Sequence, residues 1–261
     1  MSYEKIISYW TSSQIKTRAD LEAILNGQII NFAYHSGKIE NDNITYNDTR
    51  DIFERDTLSN YTGDLRTIFE IRNAKDAMNF VMKAFDQQRA FDEKFLKELH
   101  YELTKNTYDE RRYSIGERPG EYKKHDYVTG REEVGALPED VPEEIGELLS
   151  DLAETNLDSP KHILTAAAYF HAKFENIHPF ADGNGRTGRL ATNYFLMNHN
   201  HPPLIIHEED RNDYYAALES WDTKQELVPL KEFLTSQIEK TWQRQIQRMS
   251  RNQNQVRKQR P

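Results

Sequence analysis

The sequence predicts a mostly α-helical protein with one small β-hairpin. Apolar residues recur at helical spacing on both sides of a polar loop, with Leu164, Ala167, Ala168, Phe170 and Phe174 before it and Leu190, Tyr194, Phe195 and Met197 after it. Prolines fall where such runs stop: Pro179 after the first, Pro202 and Pro203 after the second. Only residues 121–137 read as strands. The 261 residues, without an internal repeat or a flexible linker, suit one large domain or a core with a small extension.

From the N-terminus, residues 20–41 read as an amphipathic helix with Leu21, Ile24, Leu25, Ile29, Phe32 and Ala33 along one stripe. Its end is Ser36-Gly37-Lys38-Ile39-Glu40-Asn41. Ser36 and Glu40 are four apart and share a face. Gly37 weakens the last turn by roughly 1 kcal/mol relative to Ala. Asn41 suits the left-handed conformation that closes a helix. Residues 56–63 and 109–120 read as long exposed turns. In the hairpin, residues 121–131 are polar and β-leaning with Gly130 at the turn. Val134, Gly135, Ala136 and Leu137 form the second arm, ended by Pro138 and Pro142. A buried helix follows over 163–174. A second starts near Arg186. Residues 211–218 are helical, and Trp221 with Leu227, Val228, Leu230, Phe233 and Leu234 reads as a closing core helix. The chain thus divides into a helical N-terminal region (1–110), a core (111–235) and a basic tail (236–261).

The loop between the two core helices is His178-Pro179-Phe180-Ala181-Asp182-Gly183-Asn184-Gly185-Arg186-Thr187-Gly188-Arg189. Gly183-Asn184-Gly185 lies at the start of the second helix, where free N–H groups and the helix dipole suit phosphate oxygens. Arg186 and Arg189 share a face of its first turn, where positive charge opposes the dipole unless an anion offsets it. Imidazole is the base suited to neutral pH. One carboxylate together with phosphate oxygens and waters is the usual holder of Mg²⁺, and Arg offers phosphate a planar fork. Taken singly, each residue reads as structure: Asp182 pairing Arg186 across a capped turn, His178 as a satisfied core histidine. As a set they read as nucleotide chemistry.

These residues resemble the pattern H-x-F-x-[DE]-G-N-G-R-x-x-R of the Fic (filamentation induced by cAMP) family at every fixed position, and the resemblance extends over about residues 12–234. It implies a helical Fic-like domain that transfers AMP from ATP, with Mg²⁺, to a Tyr, Thr or Ser hydroxyl of a target protein. It implies His178 as general base, Asp182 as metal ligand, and Gly183, Asn184 and Gly185 as the cradle of the α- and β-phosphates. Arg186 and Arg189 would be polyphosphate clamps, Arg189 reaching the γ-phosphate, and Phe180 a core anchor. Ser36 to Asn41 is similar to the family's inhibitory motif [ST]-x-x-x-E-[GN], which implies that Glu40, with Ser36 beside it, pairs with Arg189 and displaces the γ-phosphate. Residues 121–137 resemble the flap that holds a target segment by main-chain pairing. Residues 211–218 resemble R-x-x-Y-Y-x-A-L, in which Tyr214 or Tyr215 stacks on adenine or packs in the core; Tyr215 is the candidate taken.

Composition bounds the remainder. The net charge is −9, while residues 239–261 carry Glu239 against seven Lys and Arg, so the body is strongly acidic and general nucleic-acid binding is disfavoured. The basic tail reads as a solvated helix end, with an acidic partner, DNA or the body itself as its other contacts. Without cysteine there is neither a disulfide nor a thiolate metal site. No apolar run spans a bilayer, and residues 1–18 lack a secretion core, which points to the cytoplasm. The partners expected are ATP, a target protein on the flap and the chain itself as a self-modification substrate. The sequence leaves oligomeric state open, a homo-oligomer included. De-AMPylation is a second outcome at the same site if Glu40 orients a water. The alternatives are transfer of another nucleotide or phosphate-containing group, and a nucleotide sensor with negligible turnover, against which the intact His178 argues.

Overall fold

The structure, a computed structural model, describes residues 2–58, 61–130 and 132–258, with side chains described through residue 247. Among these, twelve α-helices follow one another: α1 (Tyr3–Ser12), α2 (Arg18–Leu25), α3 (Ile29–Glu40), α4 (Tyr46–Arg55), α5 (Leu65–Asp86), α6 (Glu93–Thr104), α7 (Glu110–Ser114), α8 (Val141–Glu154), α9 (Pro160–Ile177), α10 (Asn184–Asn198), α11 (Arg211–Lys224) and α12 (Val228–Lys258). Six begin on a side-chain cap. Thr17 and Asp20 form a capping box, and Thr45, Asp64, Asp92, Asp109 and Ser159 each accept from a first-turn N–H.

α9 and α10 pack against each other at the centre. α8, α11 and α12 cover α9, while α3, α5 and α6 cover α10. Phe170, Phe174 and Phe180 are fully buried between them, each ring stabilising the fold by about 1.5–3 kcal/mol. Phe95 of α6 stacks on Tyr194 of α10 with ring centres 4.2 Å apart. One core runs from Tyr3 to Trp242, and a small second cluster of Ile44, Ile52 and Ile71 seats α4 on α5. The tail expected from residue 236 is the continuation of α12, whose Ile238 and Trp242 are buried. Trp242 meets Trp10 of α1 edge to face at 5.4 Å. Of the basic residues expected beyond it, the side chains from Arg248 onward lie outside the described residues, as do Arg131 in the hairpin and residues 59–60 in the first long turn.

Several expectations need correction. The stripe over 20–41 is two helices, broken at Asn26-Gly27-Gln28, where Gly27 takes φ +81°. Apolar periodicity survives such a break because both halves face the same core. Asn41 is extended at φ −137° rather than left-handed. Its side chain closes the turn instead, donating to Glu70 Oε2 at 2.6 Å and Thr67 Oγ1 at 3.1 Å and accepting from Asn43 N–H at 2.9 Å. The turn over 109–120 contains α7. Trp221 belongs to α11, which ends at Gln225 with φ 54° before Pro229 sets the start of α12.

The hairpin is reduced to one antiparallel bridge among the described residues, Thr129 with Val134, through two hydrogen bonds of 2.8 and 2.9 Å. The arms do not form a ladder because their donors point elsewhere: Lys123 N–H to Pro179 O and Ala136 N–H to Ile177 O, both at 2.9 Å. The segment is thus a bridged loop fastened on either side of His178.

Candidate active site

His178 sits where α9 stops. Pro179 disfavours the helical conformation at the residue before it. His178 takes the left-handed one, φ 50° and ψ 60°, while its N–H still bonds Phe174 O at 3.1 Å. The imidazole is half-buried, and its Nδ1 has no hydrogen-bond partner. It is therefore not the satisfied core histidine of the bland alternative. Burial, with the Lys123 ammonium second, pulls its pKa down to about 4, so the ring is neutral at neutral pH. Lys123 is itself buried, its Nζ donating to Tyr127 O at 2.9 Å.

The loop after it is held from within and from below. Asn184 clamps Phe180, its Nδ2 donating to Phe180 O at 2.7 Å and its Oδ1 accepting from Phe180 N–H at 2.9 Å. Both polar atoms of that side chain are thereby engaged, which leaves its backbone N–H as what Asn184 can offer a phosphate. Phe180 lies flat on His100 of α6, ring centres 3.7 Å apart at 4°. Gly120 N–H donates to His100 Nδ1 at 2.8 Å, so the Nε2–H donates to Asp182 O at 2.8 Å. Burial, with Arg186 also opposing protonation, takes the His100 pKa to about 4, which fits this neutral tautomer. Gly183 adopts φ +83°, and a Cβ there would lie 2.5 Å from Thr104 Cγ2. It caps α10 without a side chain, leaving the helix N-terminus open.

The charged residues divide into two groups. Asp182 Oδ2 meets Arg66 at 2.7 Å and Arg112 at 3.5 Å, and its Oδ1 meets Arg186 at 3.3 Å. Burial would raise its pKa, but Arg186, Arg66 and Arg112 hold it below the usual carboxylate range. Arg189, three residues on, faces α3. It donates to Ser36 Oγ at 3.0 Å, Ser36 O at 2.9 Å and Glu40 Oε1 at 2.8 Å. Burial opposes its charge, yet Glu40 beside it keeps the pKa above the ordinary value. Gly185 permits this approach, since a Cβ there would lie 2.4 Å from Glu40 Oε1. Glu40, His178, Gly185, Arg189 and Tyr215 line one cavity of about 620 Å³ with Thr129 of the bridged loop. Tyr215 is 46% exposed there, whereas Tyr214 is buried and hydrogen-bonded to His171 Nε2 at 2.8 Å. Both rings line the cavity, Tyr215 as its exposed face and Tyr214 from the buried wall.

The sequence profile of the Fic/DOC family matches residues 90–196. The chain is 32% identical over 218 residues to the protein adenylyltransferase Fic of Drosophila persimilis, covering 80% of this chain and 39% of that protein. In structure it is similar to a Fic domain containing signaling protein from Bacteroides thetaiotaomicron, with TM-score 0.75, 25% identity, and 91% and 92% of the two chains covered. The chain belongs to the Fic/DOC family. Fic-1 of C. elegans shares the fold at TM-score 0.74 and 22% identity, over 95% of this chain and 73% of that one. The chain spans about two fifths of the length of the curated Fic relatives it matches. Among the described residues no helix is long and apolar enough to cross a membrane.

Some residues of this Fic site left no mark in the sequence. Arg66, Arg112, Glu70, His100 and Lys123 are distant in the chain from the motif and ordinary in type. Glu175 carried the one usable signal: one turn before His178, it falls on an apolar helix. Its Oε1 is buried without a partner, and burial pushes its pKa up to about 8. No cluster of three or more His, Cys, Asp or Glu able to hold a metal occurs among the described residues. Asp182 alone fits Mg²⁺ only in the manner of a site completed by substrate phosphates, because it is ionised and a fifth exposed, at 19%.

Proposed function

We propose that this chain is a protein adenylyltransferase, moving AMP from ATP to a side-chain hydroxyl of a protein, and that α3 restrains it. The observation that supports this most strongly is His178: neutral, half-buried, its buried Nδ1 without a hydrogen-bond partner, in the wall of a cavity that also holds Arg189 and Gly185 at the start of α10. The names of the relatives support the reaction class.

In this reading the polyphosphate lies along the N-terminus of α10, on backbone N–H groups from Gly183 to Gly185. Tyr215 offers a face to the base. Arg186, with Nε and Nη1 buried and unpartnered, supplies donors to the phosphates. Asp182 would hold Mg²⁺, which neutralises phosphate charge when bound. The target hydroxyl enters past the bridged loop at Thr129–Val134, loses its proton to His178 and attacks the α-phosphorus as pyrophosphate leaves. A free imidazole nitrogen has a use in this step that a pure nucleotide sensor lacks. Glu40 on Arg189 occupies the guanidinium that would otherwise take the γ-phosphate, which supports restraint by α3. The same carboxylate could orient a water for AMP removal.

Mass spectrometry after incubation with each Mg·NTP, with and without a protein acceptor, tests the reading. An adduct of AMP mass, absent in His178→Ala, is expected. An adduct from another nucleotide alone would assign a different transferred group. No adduct from wild type or from Glu40→Gly would leave a nucleotide sensor.

A further inference from the structure

Two glycines near the start of α10 each make room for a carboxyl group. A Cβ on Gly185 would lie 2.4 Å from Glu40 Oε1, and one on Gly188 would lie 2.4 Å from Glu175 Oε1. The two positions are three apart and share a face of the helix. Glu40 reaches that face from α3 and Glu175 from α9. Arg189 follows Gly188 in the chain and lines one cavity with both acids. Its donors go to Ser36 and Glu40. Glu175 Oε1 stays buried without a hydrogen-bond partner. Burial pushes the Glu175 pKa up to about 8; Arg189 opposes the rise, and Glu40 and then Asp222 add to it. Asp222 faces it from α11 and accepts from Asn176 Nδ2 at 2.8 Å, while Tyr214 of the same helix is bonded to His171. Glu175 is therefore the neutral acid at pH 7 as long as Glu40 sits on Arg189.

We propose that Glu175 is a second internal partner of Arg189, which takes the guanidinium as a carboxylate when Glu40 withdraws and gives it up as the neutral acid when nucleotide binds. This rests on the reading that α3 restrains the enzyme through Glu40. A buried guanidinium stripped of its carboxylate is costly. Glu175 is the acid already seated against the same helix with an oxygen uncommitted. Withdrawal of Glu40 also removes a negative charge that helps to keep Glu175 protonated, so Glu175 ionises below pH 8 in the released enzyme. The phosphates of ATP bring negative charge back beside it, and Glu175 takes a proton from solvent. Nucleotide binding to the released enzyme is therefore coupled to proton uptake, and it weakens as pH rises. Glu175 acts here only through Arg189, as a positioning residue.

The test is calorimetric titration of Mg·ATP into the full chain carrying Glu40→Gly, which releases Arg189, and His178→Ala, which blocks transfer. Titrations at pH 8 in buffers of different ionisation enthalpy count the protons exchanged. A terminal phosphate is already deprotonated at that pH, so uptake reports on the protein. The double variant should take up a proton on binding, and adding Glu175→Gln should abolish the uptake. The same substitution should tighten binding at pH 8 by roughly tenfold, the effect of one pH unit of linkage. Affinity of the double variant should fall from pH 7 to pH 9, and that of the Glu175→Gln variant should stay level. Beside an intact Glu40 the gain should be far smaller, whereas a merely structural Glu175 would weaken binding in both backgrounds. Glu175→Met, neutral and of similar length, takes the place of Glu175→Gln if circular dichroism shows the latter misfolded. Absence of proton uptake by the double variant, or unchanged or weaker binding after Glu175→Gln, overturns the proposal. An AMP adduct from Glu40→Gly alongside either result would leave the transferase and its restraint standing and remove Glu175 alone. A Glu40→Gly protein no more active than wild type would remove the restraint, and this proposal with it.

Discussion

At the scale of the residue, His178 makes two predictions. Its Nδ1 is unpartnered and its phosphate neighbours are separate groups, so His178→Ala should lose transfer by about 10²–10⁴ while ATP binding stays near wild type. Equal loss of binding, measured by titration with a fluorescent ATP analogue, would assign the ring to structure. The second concerns pH. The folded pKa of about 4 lies below the ordinary 6.5, so the neutral base persists as pH falls. The acid limb of kcat/KM should therefore lie near pH 4–5, bounded by unfolding, and not near 6.5. Lys123, whose ammonium adds to the depression of that pKa, should shift the limb upward when replaced by Met. A limb at 6.5 in wild type would show that His178 is solvated in the working enzyme.

At the scale of the element, the pairing of α3 with α10 sets the expected sign of a substitution. Glu40→Gly removes the carboxylate that occupies Arg189 and leaves every proposed phosphate contact in place. AMP incorporation should rise well above wild type at equal protein and Mg·ATP. A merely stabilising ion pair predicts the opposite, because its loss would weaken the fold. Arg189→Ala also breaks the pair but removes the clamp, so it should not activate, and the double variant should resemble it. The motif loop depends on α6 in a different way. His100 carries the loop on its ring and on its Nε2–H. His100→Phe should keep the stacking and lose the bond to Asp182 O, an effect of about 1–3 kcal/mol because that carbonyl and the Gly120 N–H lose a buried partner. Chemical denaturation would read the loss, and an unchanged midpoint would show that water replaces the imidazole.

At the scale of the whole molecule, buried neutral histidines set the acid limit. His35, His100, His178 and His201 are lowered to about 4 and His171 to about 3, each chiefly by burial. Their unfolded value is near 6.5, so between pH 6.5 and 4 the unfolded chain binds more protons than the folded one. Stability contributed by these groups is complete above pH 6.5 and is lost as pH falls through that window, each group adding up to about 1.4 kcal/mol per pH unit to the slope. Tm should fall steeply between pH 7 and pH 5. A flat Tm over that range would mean that the imidazoles are hydrated or paired in solution. His35 belongs to α3, so the same acidification weakens the seat of the proposed inhibitory helix.

The sequence by itself determined the loop from His178 to Arg189 and its place between two core helices. It did so because those roles depend on residue type at short spacing: a proline ends α9, glycines admit close approach, and apolar residues at helical intervals set which faces are buried. It also brought out Ser36 and Glu40, again through spacing within one helix. Only the tertiary structure decided which partners those residues have. Asn26-Gly27 splits the N-terminal stripe, a break invisible to a periodicity that both halves share. The arms of the expected hairpin direct their donors to Ile177 and Pro179, so strand-like composition yields a single bridge. Arg66 and Arg112 reach Asp182 from chain positions 116 and 70 residues away. His100 comes under Phe180 from 80 residues away. Such convergence is fixed by how α5, α6 and α7 are placed around the motif loop, and no local pattern records it.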